Sequence, residues 1–121
     1  MTQSKFEQYG GFAVVSRIVL DFYNRLLDDD LLGPFFEDVD LPRIVDHQTK
    51  FLAMLLGGPA HYTDEQISRL HRHLDIRGEH YDRMTALLAE TLRDHNFAEP
   101  DLNEVIAQFE ARRGLMVGMA P

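Results

Sequence analysis

The 121-residue chain contains no cysteine, which excludes disulfides, thiolate metal sites and cysteine nucleophiles and leaves nothing that requires an oxidising compartment. It is also short of positive charge. Twelve Lys and Arg against twenty Asp and Glu leave a net charge of −8, the wrong sign for tracking a phosphate backbone, so nucleic acid is not an expected partner. No apolar run approaches the roughly 18 residues of a bilayer-spanning helix. The N-terminus MTQSKFEQYGG has neither the basic start nor the apolar stretch of a signal peptide. The expectation is a cytoplasmic protein with no membrane partner. Strand-like alternation, internal repeats, low-complexity tracts and domain-dividing linkers are missing too. What remains, 45% apolar and 26% charged, is a globular composition, and it predicts one all-α domain over residues 1–121.

The helical spacing is explicit. Phe12, Val15, Val19, Phe22 and Leu26 recur every three or four residues and predict a first long helix ending at Asp28-Asp29-Asp30. In "LLGPFF" the Gly33-Pro34 pair breaks that helix and leaves Phe35 and Phe36 at a corner where they can plug a core. Asp40 can cap the next helix, with Pro42 in its first turn and Leu41, Ile44, Val45, Phe51, Leu52 and Leu55 inward, until Gly57-Gly58-Pro59 stops it. Thr63 and Gln66 fit a capping box that opens a further helical segment. Tyr81, Met84, Leu88 and Leu92 mark a fourth helix. A fifth starts at Pro100 and runs through Leu102, Val105, Ile106 and Phe109 towards Met116.

Three polar residues fall on apolar faces. In "ISRLHRHLD" the positions 67, 70, 71 and 74 share one side of a helix, so Ile67, Leu70 and Leu74 carry His71 inward, while His73 lies outward with Gln66 and Arg69. Gln48 sits between Ile44 and Leu52 in the inward stripe of its helix. Tyr23 adjoins Phe22 on the inner side of the first. A core histidine bonded to a carbonyl, and a tyrosine and glutamine bonded to each other, account for these residues without any ligand. The same set amid Phe22, Phe35, Phe36 and Phe51 is also what an apolar pocket needs around a metal-centred planar cofactor, namely haem. A non-haem di-iron bundle would need Glu-x-x-His pairs, and no histidine here has Glu three positions before it. His61, His80 and His95 show no partner pattern and are expected at the surface. The carboxylates around Asp28 and Glu37 read as solvated corners.

The succession YGG, DFYNRLL, FF, HQTKFL, LGGP, YT, LH and GEHYD, from about Tyr9 to Met116, resembles the group I truncated haemoglobins. That resemblance implies a truncated globin, a two-over-two helical sandwich with a very short first helix, glycine pairs at the corners and haem b (iron protoporphyrin IX) between the helices. It implies that the segment around His71 is mostly an irregular loop, shorter in helix than its spacing predicts. His71 matches the family's iron ligand, Phe36 its corner phenylalanine against the porphyrin, and Tyr23 and Gln48 its distal donors. Ile44 falls where full-length globins usually keep a distal histidine. His47, adjacent to Gln48, is either a second, distal iron ligand or a residue of the pocket rim. Phe22, Phe35, Ile44, Phe51 and Leu52, with Tyr62, Leu70 and Tyr81, are the remaining expected haem contacts.

The function so implied is binding of O2, NO and CO by a monomer, with conversion of nitric oxide to nitrate by bound oxygen and re-reduction by an external electron-donating reductase. The alternative is a bis-histidine haem protein for electron transfer or for redox or gas sensing. A helical interaction module without a cofactor would leave Tyr23, Gln48 and His71 as accidents.

Overall fold

A computed structural model describes residues 4–37, 40–60 and 77–113. Its helices are α1 (Lys5–Gln8), α2 (Gly11–Asp28), α3 (Leu41–Leu55), α4 (Gly78–Asp94) and α5 (Glu99–Ala111), with a 3-10 turn over Gly33–Phe36 between α2 and α3. The segment that opens at Thr63, with Tyr62, Leu70, His71 and His73, and the expected extension to Met116 lie outside the described residues.

Each helix starts and stops for a local reason. The YGG corner works because Gly10 and Gly11 take φ of 110° and 71°, a left-handed conformation that disfavours side chains. A Cβ on Gly10 would also stand 2.4 Å from Val14 Cγ2. Asp40 caps α3 by accepting from the Arg43 amide at 3.3 Å, with Pro42 in the first turn where its missing N–H is not needed. At the end of α4, Asn96 turns left-handed and the Phe97 amide returns to the Leu92 carbonyl at 3.1 Å.

α2 is the central element, packing against α3 and α4, while α4 in turn packs against α5. Its buried stripe is Val15, Ile18, Val19, Phe22, Tyr23 and Leu26. Tyr81, Met84, Leu88 and Leu92 face inward from α4, and Leu102, Val105 and Phe109 from α5, as their spacing predicts. Phe12 does not follow its stripe. It is 44% exposed in the first turn of α2, and its ring contact is the edge of Phe6 at 4.7 Å. α1 is tied down at both ends: the Phe6 amide donates to the Leu56 carbonyl at 3.0 Å, and Tyr9 stacks on Phe97 at 3.9 Å. The Tyr9 hydroxyl donates to Asp101.

Three expected surface groups prove structural. His95 donates from Nε2 to Asp21 at 2.9 Å, joining the end of α4 to α2. His80, with a side chain only 12% exposed, accepts the Arg77 amide at Nδ1 (3.0 Å) and so caps the start of α4. Asp29 is not a solvated corner. Its side chain is 8% exposed and accepts from the amides of Leu31 and Leu32, each at 3.1 Å, and from Arg83 of α4 at 2.7 Å. Sequence spacing missed all three because their partners are remote in the chain or are backbone amides.

Burial works against the charge of Asp29, but the bonds from Arg83 and the two amides outweigh it and hold the carboxyl below its ordinary value. A carboxyl lowered by folding contributes stability above the unfolded value and loses it as the pH falls through the folded one. Asp29→Ala should therefore lower stability near neutral pH by about 2 kcal/mol. In urea unfolding its deficit should shrink as the pH drops below about 4. A deficit that stays constant down to strongly acid pH would contradict the assignment.

Candidate functional site

α2 carries Tyr23, and α3, packed against it, carries Gln48. Tyr23 is 7% exposed, with its ring caged edge-to-face by Phe22 at 5.4 Å and Phe36 at 5.6 Å. Burial pushes its phenol well above the ordinary value, so the hydroxyl keeps its proton near neutral pH. Gln48 is half-buried on α3, one turn after Ile44, which packs against the core. Among the described residues neither the Tyr23 hydroxyl nor the Gln48 amide has a hydrogen-bond partner, and the two are not bonded to each other. That mutual bond was the explanation that needed no ligand. Both groups therefore keep donors available to a partner from elsewhere.

Gln48 contributes to an apolar cavity of about 30 Å³ lined also by Ile18, Val19, Phe22, Phe51, Leu52, Leu55, Leu88 and Phe109. Space of that size admits a water-sized or diatomic molecule. Walls with so few polar groups hold water poorly and a non-polar gas well. Phe22, Phe51 and Leu52 were expected near a ligand. Ile18, Val19, Leu55, Leu88 and Phe109 were not, because a helical stripe reads the same whether it faces a neighbouring side chain or an internal space.

The other expected residues divide. Phe36 packs on Tyr23. Phe36, half-buried, packs against the core as expected, whereas Phe35, also half-buried, turns to His80 at 4.7 Å. His47 is half-buried on α3, takes part in interactions of its own and is not a lining residue of the cavity. Tyr81 stands apart from the cavity as well: its ring is stacked on Phe109 at 4.7 Å, with the Arg113 guanidinium 4.8 Å over it, and its hydroxyl donates to the Phe109 carbonyl. These contacts make it a bolt between α4 and α5. His71, Tyr62 and Leu70 lie outside the described residues.

Helical layers around an apolar cavity with Gln48 in its wall, and a buried Tyr23 whose hydroxyl has no partner among the described residues, fit the donor side of a haem pocket, and the chain's resemblances define the class. Residues 4–117 match the model of the bacterial-like globins. A group 1 truncated hemoglobin of Tetrahymena pyriformis is 32% identical over 116 residues, 96% of each chain. Another from Synechocystis is 34% identical over 106 residues, 84% of this chain and 86% of its own. The crystal structure of the Tetrahymena pyriformis protein in its Fe(III) form superposes with a TM-score of 0.85 at 32% identity, over 96% of this chain and 99% of that one. The 2/2 hemoglobin of Synechococcus, in the cyanomet state with covalently attached haem, gives 0.84 at 25% identity over 94% and 98% of the two chains. The chain belongs to the group 1 truncated haemoglobins, and its fold is their all-α two-over-two sandwich. Membership implies a haem cofactor and the binding of diatomic gases such as oxygen.

If Tyr81 holds helices together rather than touching the cofactor, Tyr81→Phe should cost about 1 kcal/mol of stability through its lost bond to Phe109. Titration of the apoprotein with haem should give the same end point and affinity as the parent. A weakened haem affinity at unchanged stability would return Tyr81 to the pocket wall.

Proposed function

We propose that the protein binds haem b with His71 as the iron ligand and converts nitric oxide to nitrate at an open distal site. The reading rests on one observation above the others, the buried Tyr23, whose hydroxyl has no partner among the described residues. Haem, when bound, supplies the iron that takes up a diatomic gas and exchanges an electron with it. The chain's own residues do the rest. Phe22, Phe36, Phe51 and Leu52, with Phe35, Ile44, Tyr62 and Leu70 as the remaining candidate walls, keep water from the gas. Tyr23 and Gln48 donate hydrogen bonds to the partial negative charge that dioxygen acquires on binding.

Such bonds to a charged acceptor are worth about 1.5 to 3 kcal/mol, or roughly ten- to a hundredfold in the rate of release. Slow release suits a reaction in which dioxygen must wait for a second small radical. The overall change, NO plus O2 plus one electron giving nitrate, takes its electron from the protein, and an external reductase must return it. In this reading the protein acts as a cytoplasmic monomer beside that reductase.

Two variants test the iron ligand. His71→Ala should lose haem or hold it far more weakly, whereas His73→Ala keeps it. Equal retention would sink the assignment. For the distal side, Tyr23→Phe should release oxygen about tenfold faster, given roughly 1.5 kcal/mol for the lost bond. Stopped-flow mixing of the oxygen-loaded protein with nitric oxide should give one nitrate per haem, and persistence of the oxygen-loaded spectrum would exclude the reaction. A low-spin ferric spectrum that turns high-spin in His47→Ala would instead place His47 on the iron and favour electron transfer or sensing.

A further inference from the structure

We infer that Phe36 is a positioning residue for Tyr23: from the corner between α2 and α3 its ring fixes where the Tyr23 hydroxyl points. The inference rests on the proposed role of Tyr23 as a donor to bound gas, and it adds a second function to a residue otherwise expected only to touch the porphyrin. A tyrosine hydroxyl lies on the axis of its own ring, so rotation about χ2 leaves the oxygen in place. Its aim is set by χ1 and by the walls that stop the ring from tilting. Hydrogen bonding sets no direction here, since the Tyr23 hydroxyl has no partner among the described residues. Packing is what remains.

Among the described residues, two aromatic rings meet the Tyr23 ring. Phe22 does so at 5.4 Å and 75°, but it is the adjacent residue of the same helix and moves with it. Phe36 comes from a separate segment and meets the ring at 5.6 Å and 87°, the edge-to-face geometry that aromatic pairs prefer. Its segment is itself held. Gly33 is buried where a Cβ would stand 2.7 Å from the Leu27 carbonyl oxygen, so the turn lies against the end of α2 as closely as the backbone allows. The Gly33 amide donates to the Asp29 carbonyl at 2.8 Å. Through its carboxylate Asp29 also gathers two corner amides and Arg83 of α4. Phe36 thus gives Tyr23 a wall referenced to the frame of the fold instead of to α2 alone.

A double-mutant cycle on the haem-loaded protein, with carbon monoxide and oxygen as probes, separates positioning from simple wall contact. Phe36→Leu should shift or broaden the C–O stretching band in the infrared and speed oxygen release by about two- to tenfold, the range that an aromatic pair supports. Phe36→Met should do the same and serves if Phe36→Leu holds haem poorly, while Phe36→Tyr, which keeps the ring, should restore the parent band. In a Tyr23→Phe background, Phe36→Leu or Phe36→Met should produce no further change in either measurement. Equal effects with and without the Tyr23 hydroxyl would overturn the inference and leave Phe36 a wall. If Tyr23→Phe alone changes neither the band nor the release rate, the donor role of Tyr23 fails, and the inference falls with it.

Discussion

A tyrosine ring buried among aromatic rings, with no acceptor or donor to meet its hydroxyl among the described residues, is the constraint on which the rest of the site turns. A fold that only needed to fill this position would carry phenylalanine, which packs equally well and leaves nothing unpaired. Keeping Tyr23 makes sense when something else in the working protein meets the hydroxyl. The neighbouring walls narrow what that is. Gln48 offers a second donor, on the wall of a cavity lined otherwise by apolar side chains, and such donors suit a small polarised ligand.

The surrounding architecture keeps that arrangement stiff. Acidic groups outnumber basic ones, yet several carboxylates are used to join elements instead of merely solvating the surface. Asp21 receives Arg25 and His95, Asp29 receives Arg83 and two amides, and Asp101 receives Tyr9 and Lys5. Exposed pairs such as Arg93 with Glu99 add little stability of their own. The partly buried ones matter more, because they hold the α1 strap, the α2–α3 corner and α4 to the same frame. Tyr81, bonded and stacked on Phe109, performs the same service between α4 and α5 without any charge.

Much of this was legible in the sequence, and what was not shares a cause. Periodicity located the four long helices among the described residues, and limits of α2 and α3 followed from Gly33-Pro34, Asp40 and Gly57-Gly58, because capping and chain reversal are local chemistry. It singled out Tyr23 and Gln48 for the same reason: a polar residue on an apolar stripe is anomalous wherever the stripe packs. Periodicity does not reveal what faces the stripe. Ile18, Val19, Leu88 and Phe109 read as ordinary core, although they line a cavity, and nothing near Tyr81 in the sequence reveals that its hydroxyl is bound to α5. His80, His95 and Asp29 passed as surface groups because a backbone amide or a residue dozens of positions away leaves no pattern near them. Phe12 erred in the opposite sense, its stripe position lying in the first turn of α2, where the ring it meets is Phe6.

A crystal structure of the haem-loaded ferric protein with cyanide bound tests the central claim most directly. The account predicts the Tyr23 hydroxyl oxygen within about 3 Å of the cyanide nitrogen, hydrogen-bond distance, with His71 on the opposite face of the haem. A Tyr23 hydroxyl turned away from the ligand and bonded to a protein group would contradict it.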